Sequence, residues 1–145
     1  MPEKIRQVVY SSGSTGLLTP QDLAEILQVA RRNNLAADIT GMLVYRRGHF
    51  LQVLEGPDER LAPLLAKLLK DPRHHHLQVL LDGYVGARAF GAWSMAFGDV
   101  SGLEPDDLPA FSRFLTNGFT STECVRFPQQ ALRMVLAFRD MNLGR

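Results

Sequence analysis

At 145 residues, with 46% hydrophobic and 21% charged side chains, the chain has the balance of a single globular domain, which excludes long disorder and a fibrous protein. Its 16 basic and 15 acidic side chains leave a formal net charge of +1, a field too weak to recommend nucleic acid or a membrane surface, so neither is expected as a partner. The lone cysteine, Cys124, cannot close an intramolecular disulfide, and neither a signal-peptide run nor a stretch near the roughly 18 apolar residues of a membrane span occurs, so a cytoplasmic location is expected.

Ile5 to Ser11 are short, β-branched and aromatic, and Gly13 and Gly16 punctuate the chain directly after them, which predicts a strand ending near Tyr10 and then a loop. Thr19 precedes Pro20 and Asp22, an N-cap hydroxyl with a proline at the first helical position and an acid in the first turn. Leu23, Ile26, Leu27 and Ala30 then give one apolar face, and Asn33 and Asn34 supply a stop. Ile39 to Tyr45 and His49 to Leu54 are two apolar runs at hairpin spacing, with Gly48 available for positive φ. Leucines at 61, 64, 65, 68 and 69 predict a second helix, ended by Asp71-Pro72. Leu77 to Leu81 and Ser94 to Phe97 read as further strands, joined by an irregular connection over Gly83 to Phe90.

The order βαββαββ, with two helices on one face of a mixed sheet, predicts an α+β sandwich of ferredoxin-like type. Beyond Gly102, prolines at 105, 109 and 128 alternate with helical segments over about Asp106 to Leu115 and Gln129 to Met141. Residues 1–101 are therefore read as the folded domain and 102–145 as a C-terminal helical extension placed on the open sheet face.

Five segments in order, YSS at Tyr10, NNLAADITGMLVY from Asn33, FLQVLEG from Phe50, DPRHH from Asp71 and FGAWSM ending at Met95, resemble the BLUF family, sensors of blue light using FAD. The resemblance runs from about Ile5 to Phe97 and implies a ferredoxin-like domain with a flavin held between its two helices. It implies that Tyr10 is the electron and proton donor and that Gln52 links it to the flavin. A carboxamide suits that position because its donor and acceptor ends can exchange within nearly one shape. Asn34, helped by Asn33, is implied to meet the flavin's dione edge, Arg73 to approach the other carbonyl, and Ile26 and Leu68 to sandwich the ring. Trp93 and Met95 match a strand segment whose side chains exchange places beside Gln52 in the family. FAD is the cofactor implied, with FMN and riboflavin as alternatives. A sensor of this short type implies output through a separate downstream protein, reached by the helices after Gly102 or by homo-oligomer formation, and no enzymatic activity.

Each residue also has a plainer reading. Tyr10 alone would pass as a strand tyrosine, and Ile26, Leu68, Trp93 and Met95 as ordinary packing; Gln52 needs a partner if it faces the core. His74, His75 and His76 invite a metal, yet neighbours on an extended chain point to opposite faces and no second ligand cluster accompanies them. The SSGSTG stretch from Ser11 lacks a P-loop lysine and reads as a solvated turn, while Glu55 and Asp58 read as acids opening the second helix. Two competing functions are a flavin-free interaction module on the same scaffold and an acylphosphatase-like hydrolase, the latter without a phosphate-cradling loop after the first strand.

Overall fold

Alternation along the strands divides the apolar residues between two layers. In β1 (Ile5–Ser14), Val8 and Tyr10 face one side and Val9 the other. The computed structural model describes residues 4–14, 16, 18–70, 74–91, 95–107, 112–119, 126 and 128–140. After β1 come α1 (Pro20–Ala36), β2 (Thr40–Arg46), β3 (His49–Pro57), α2 (Asp58–Lys70), β4 (His74–Val85) and β5 (Ala96–Asp99). The five strands form one sheet in the order β4-β1-β3-β2-β5; only the β2/β5 pair is parallel. This is the α+β, ferredoxin-like arrangement that the hydrophobic pattern predicts.

One face packs Val8, Tyr10, Leu43, Tyr45, Phe50 and Leu54 against Leu23 and Leu27 of α1 and Leu61 of α2. The opposite face, with Val9, Met42, Val44, Leu51 and Val53, is covered by α3 (Ser112–Asn117), through Phe114 and Leu115, and by α4 (Pro128–Asp140), through Ala131, Met134 and Val135. The helical extension thus closes the sheet face that the first two helices leave open.

Local signals explain the element ends. Thr19 and Asp22 form a reciprocal capping box, with Asp22 N–H donating to Thr19 Oγ1 (3.1 Å) and Thr19 N–H to the Asp22 carboxylate (2.9 Å). The second bond holds the Asp22 carboxyl below its usual range. Arg47 (φ 45°) and Gly48 (φ 90°) make the two-residue β2–β3 turn, whose positive dihedrals match the twist of paired strands. Gly41 is compulsory for a different reason, because a Cβ there would lie 2.0 Å from the Val53 carbonyl oxygen.

Several boundaries differ from the sequence expectation. β1 continues through Ser12, Gly13 and Ser14, which pair with β3 and β4 or bond the Gly48 carbonyl, so the serine stretch is buried strand up to Ser14. The glycine there occupies a ladder position instead of breaking the chain. α1 runs on to Ala36, and the reversal comes at Asp38 (φ 58°), where Ile39 N–H returns to the Asn34 carbonyl. β4 begins at His74 and reaches Val85, and β5 ends at Asp99. Of the helix expected over about Asp106 to Leu115, the described residues show a 3-10 turn at Pro105–Asp107 and α3 from Ser112, and the residues between them lie outside the described ones. Asp71, Pro72, Ser94 and Cys124 lie outside the described residues, as do the side chains of the three histidines.

Candidate functional site

Tyr10 and Gln52 are direct partners in the β1/β3 ladder, which sets both side chains on the face covered by α1 and α2. Tyr10 is 1% and Gln52 7% exposed. The Tyr10 hydroxyl donates to Gln52 Oε1, and Gln52 Nε2 donates to the Met95 sulfur at 3.4 Å. A phenol, a carboxamide and a thioether therefore form one buried line across three segments of chain. Its far end is electrically soft: a thioether is a weak acceptor, so the amide's donor end is held lightly for a group this deep in the protein.

The backbone leading to Met95 is fastened by charged side chains from separate elements. Glu55 is fully buried, and its carboxylate accepts from Ala89 N–H and Phe90 N–H, both at 2.8 Å, and from Gln7 Nε2 at 2.9 Å. Arg88 donates to Thr40 Oγ1 (3.0 Å), the Glu55 carbonyl (3.3 Å) and the Asp38 carbonyl (2.9 Å), and it pairs with the Asp38 carboxylate at 3.1 Å. Arg139 of α4 donates to the Ala89 carbonyl at 2.9 Å, and Arg31 of α1 to the Met95 carbonyl at 2.8 Å. Glu55 therefore does not open the second helix. It is a β3 residue, paired with Gln7 in β1 and Thr40 in β2, and only Asp58 begins α2. Its parity with Leu51 and Val53 is the available signal, since extending the strand to Pro57 turns it inward. Nothing local marks Arg31, Arg88 or Arg139.

The other expected site residues fall into three groups. Asn34 is buried (3% exposed) in the last turn of α1, whereas Asn33 beside it is exposed. Ile26 is half-buried and lines a cavity of about 340 Å³ with Leu18, Asp22, Glu25 and Val29. Leu68, also half-buried, packs on the Tyr10 side of the sheet and lines a second cavity of about 340 Å³ between α2 and β4. Ile26 and Leu68 are thus brought to the same face of the sheet but into different cavities. Arg73 and Trp93 lie outside the described residues.

The chemistry of this donor set fits a flavin. A planar ring with a polar edge needs apolar helical cover and a few fixed hydrogen-bonding groups; half-buried Ile26 and Leu68, which line separate cavities, and buried Asn34 and Gln52 are residues of those types. The lightly held Gln52 amide is the group most ready to accept a stronger partner. Among the described residues no cluster of three or more histidine, cysteine, aspartate or glutamate side chains could hold a metal ion, and no helix is long and apolar enough to cross a membrane.

Known proteins resemble this chain over the same segments. The blue light- and temperature-regulated antirepressor BluF of Escherichia coli K12 is 37% identical over 86 residues, which is 59% of this chain and 21% of that protein. Photoactivated adenylate cyclase subunit beta of Euglena longa is 41% identical over 93 residues, 63% of this chain and 11% of that protein. The chain therefore spans about a fifth or less of these curated relatives. The ground state of BlsA superposes with a TM-score of 0.71 at 28% identity, covering 91% of this chain and 87% of BlsA. The family model of BLUF, sensors of blue-light using FAD, matches residues 5–96. The matched segment carries the five-stranded sheet up to Ala96, both helices of the Tyr10 face and the whole Tyr10–Gln52–Met95 line, and the chain belongs to the BLUF family of flavin-using blue-light sensors.

Proposed function

We propose that this chain is a blue-light photoreceptor that holds FAD noncovalently and switches by rearranging the hydrogen bonds of Tyr10 and Gln52. The observation that carries the reading is the buried line from the Tyr10 hydroxyl through the Gln52 carboxamide to the Met95 sulfur. Bound flavin supplies the absorption of blue light and a one-electron acceptor. Tyr10 can give up an electron and pass its proton along the bond to Gln52 Oε1. Gln52 can then exchange its donor and acceptor ends by rotation or tautomerisation, and when Tyr10 recovers both its electron and its proton the amide is left in a second pattern of nearly the same shape. The hydrogen bonding offered to the ring is changed, and with it the absorption maximum, without net chemistry. Met95 takes part because the amide end it meets is the end that changes, and Trp93 is proposed to exchange with it.

In this reading Ile26 and Leu68 supply apolar walls, Asn34 with Asn33 holds one polar edge of the ring, and Arg73 stabilises the opposite carbonyl. FAD is favoured over FMN by the family's description, although one solved BLUF-containing relative, Klebsiella pneumoniae BlrP1, is described with FMN. Output runs to a separate downstream protein, or through self-association, by way of residues 102–145 and from a cytoplasmic location. The Arg139 bond to the Ala89 carbonyl supports this route, since it joins α4 to the backbone leading into Met95.

The test is an absorption spectrum of purified, flavin-supplemented protein before and after blue light, with recovery in the dark and chromatography of the released cofactor. A flavin spectrum with a small reversible red shift, and FAD on release, is the expected result. Bound flavin that only bleaches would overturn the switch. Colourless protein would favour a flavin-free interaction module.

A further inference from the structure

Arg31 is an exposed residue of α1, one turn beyond Leu27 and beside the buried stripe of Leu23, Leu27 and Asn34. From that exposed position its long side chain reaches the strand end, and Nε donates to the main-chain carbonyl of Met95 at 2.8 Å, a contact between residues 64 apart in sequence.

Met95 needs such a hold. The β2/β5 ladder begins only at the Met42–Ala96 pair, so Met95 stands just before it, and β5 is an edge strand of the sheet. The Met95 sulfur meets Gln52 Nε2 at 3.4 Å, but a thioether is too weak an acceptor to fix the position of the residue that carries it. The main-chain bond from Arg31 is the directional, charge-assisted contact at this residue.

We propose that Arg31 is a positioning residue for the switch: by holding the Met95 carbonyl it keeps the Met95 sulfur against the Gln52 amide in the dark arrangement. It ties the helix that covers the proposed flavin face to the strand end that the amide touches. The inference rests on the photosensor reading for its consequence, but the contact is testable without it.

The probe is the methyl resonance of Met95 in protein labelled at the methionine methyl groups. The sequence carries five methionines, and Met95→Leu assigns the signal. Arg31→Ala should shift or broaden the Met95 methyl signal, Arg31→Lys should restore much of it, and Arg32→Ala, an exposed neighbour on the same helix, should leave it unchanged. In flavin-loaded protein, Arg31→Ala should also slow dark recovery by about threefold or more, since the dark arrangement loses a charge-assisted bond. Should Arg31→Ala lower the unfolding midpoint, Arg31→Gln, which keeps a neutral donor on a shorter side chain, is read in its place and should give an intermediate signal. A Met95 signal unchanged in Arg31→Ala, or recovery as fast as in the wild type, would overturn the proposal. Wild-type protein that shows no light-induced shift would overturn the photosensor reading alone, and the methyl signal would still decide the Arg31 contact.

Discussion

Tyr10 stands directly opposite Gln52 in the antiparallel β1/β3 ladder, and their hydrogen bond results from that register. Opposed residues share a sheet face with Cβ atoms about 5 Å apart. A slip of one residue would turn one of them to the opposite layer, so the apolar alternation that fixes the register also fixes this hydrogen bond, on which the proposed switch rests.

Removing the hydroxyl should separate folding from switching. Tyr10→Phe keeps the buried ring and leaves Gln52 Oε1 without its donor, at a cost of about 1–2 kcal/mol in urea unfolding. The variant should still bind flavin, and its light-induced red shift should vanish. Gln52→Leu should behave likewise, because a side chain with no donor or acceptor cannot exchange them. A full reversible shift in Tyr10→Phe would sink the proposed mechanism.

Glu55 gives a second, purely structural expectation. Its carboxylate takes the N–H groups of Ala89 and Phe90 in a fully buried position. Glu55→Ala leaves both donors without an acceptor and should cost about 3 kcal/mol or more. Glu55→Gln keeps one acceptor oxygen and should lose roughly half as much. Urea denaturation of the two variants checks the order. Equal losses would mean that the cavity, and not the hydrogen bonds, sets the cost.

The contrast between Tyr10 and Glu55 shows what a sequence can carry. Period-two alternation, the Thr19 cap and the Arg47-Gly48 turn are local signals, and they locate the strands, the first helix and the face on which Tyr10 and Gln52 meet. The sheet face covered by the helices after Gly102 is legible too, because an uncovered apolar face has to be buried. Glu55 is ambiguous in the sequence because an acid just before Asp58 fits a helix start as well as a strand end. The continuation of β1 through Gly13 has no local signal, because the glycine's pairing with His49 and His75 comes from two other strands. Contacts such as Arg31 to Met95 depend on how a helix and an edge strand meet, which periodicity does not encode.

The outer end of the sheet predicts a pH dependence. Arg6 donates to both carboxylate oxygens of Asp82, at 2.8 and 2.7 Å, and these bonds hold the Asp82 carboxyl below its usual range. A carboxyl that binds its proton less tightly when folded stabilises the fold above its unfolded value of about 3.9, and the gain disappears as pH falls through the lower folded value. The Asp82 side chain is 39% exposed, so screening keeps the gain to about 1 kcal/mol or less. Asp82→Asn should therefore be slightly less stable than the wild type above about pH 5, and the difference should close toward pH 2 and in high salt. Unfolding curves at several pH values check this; a gap that widens in acid would contradict it.

Arg139 offers the expectation closest to output. Its guanidinium bonds the Ala89 carbonyl and lies 5.7 Å from the centre of the Phe90 ring, so a single side chain joins α4 to the backbone that Glu55 holds from the other side. Arg139→Ala should cost about 1–2 kcal/mol, combining a charge-assisted bond with a cation–π contact, and Arg139→Lys should recover only part because it lacks the planar fork. Hydrogen exchange distinguishes a latch from general stabilisation. Faster exchange confined to α4 and the amides near Ala89, with the β1–β3 ladder unchanged, is expected of a latch, whereas uniform acceleration would assign Arg139 to global stability alone. In flavin-loaded protein the same variant should shrink any light-dark difference in α4 exchange, because a rearrangement at Met95 can move α4 through this route only while the two are joined.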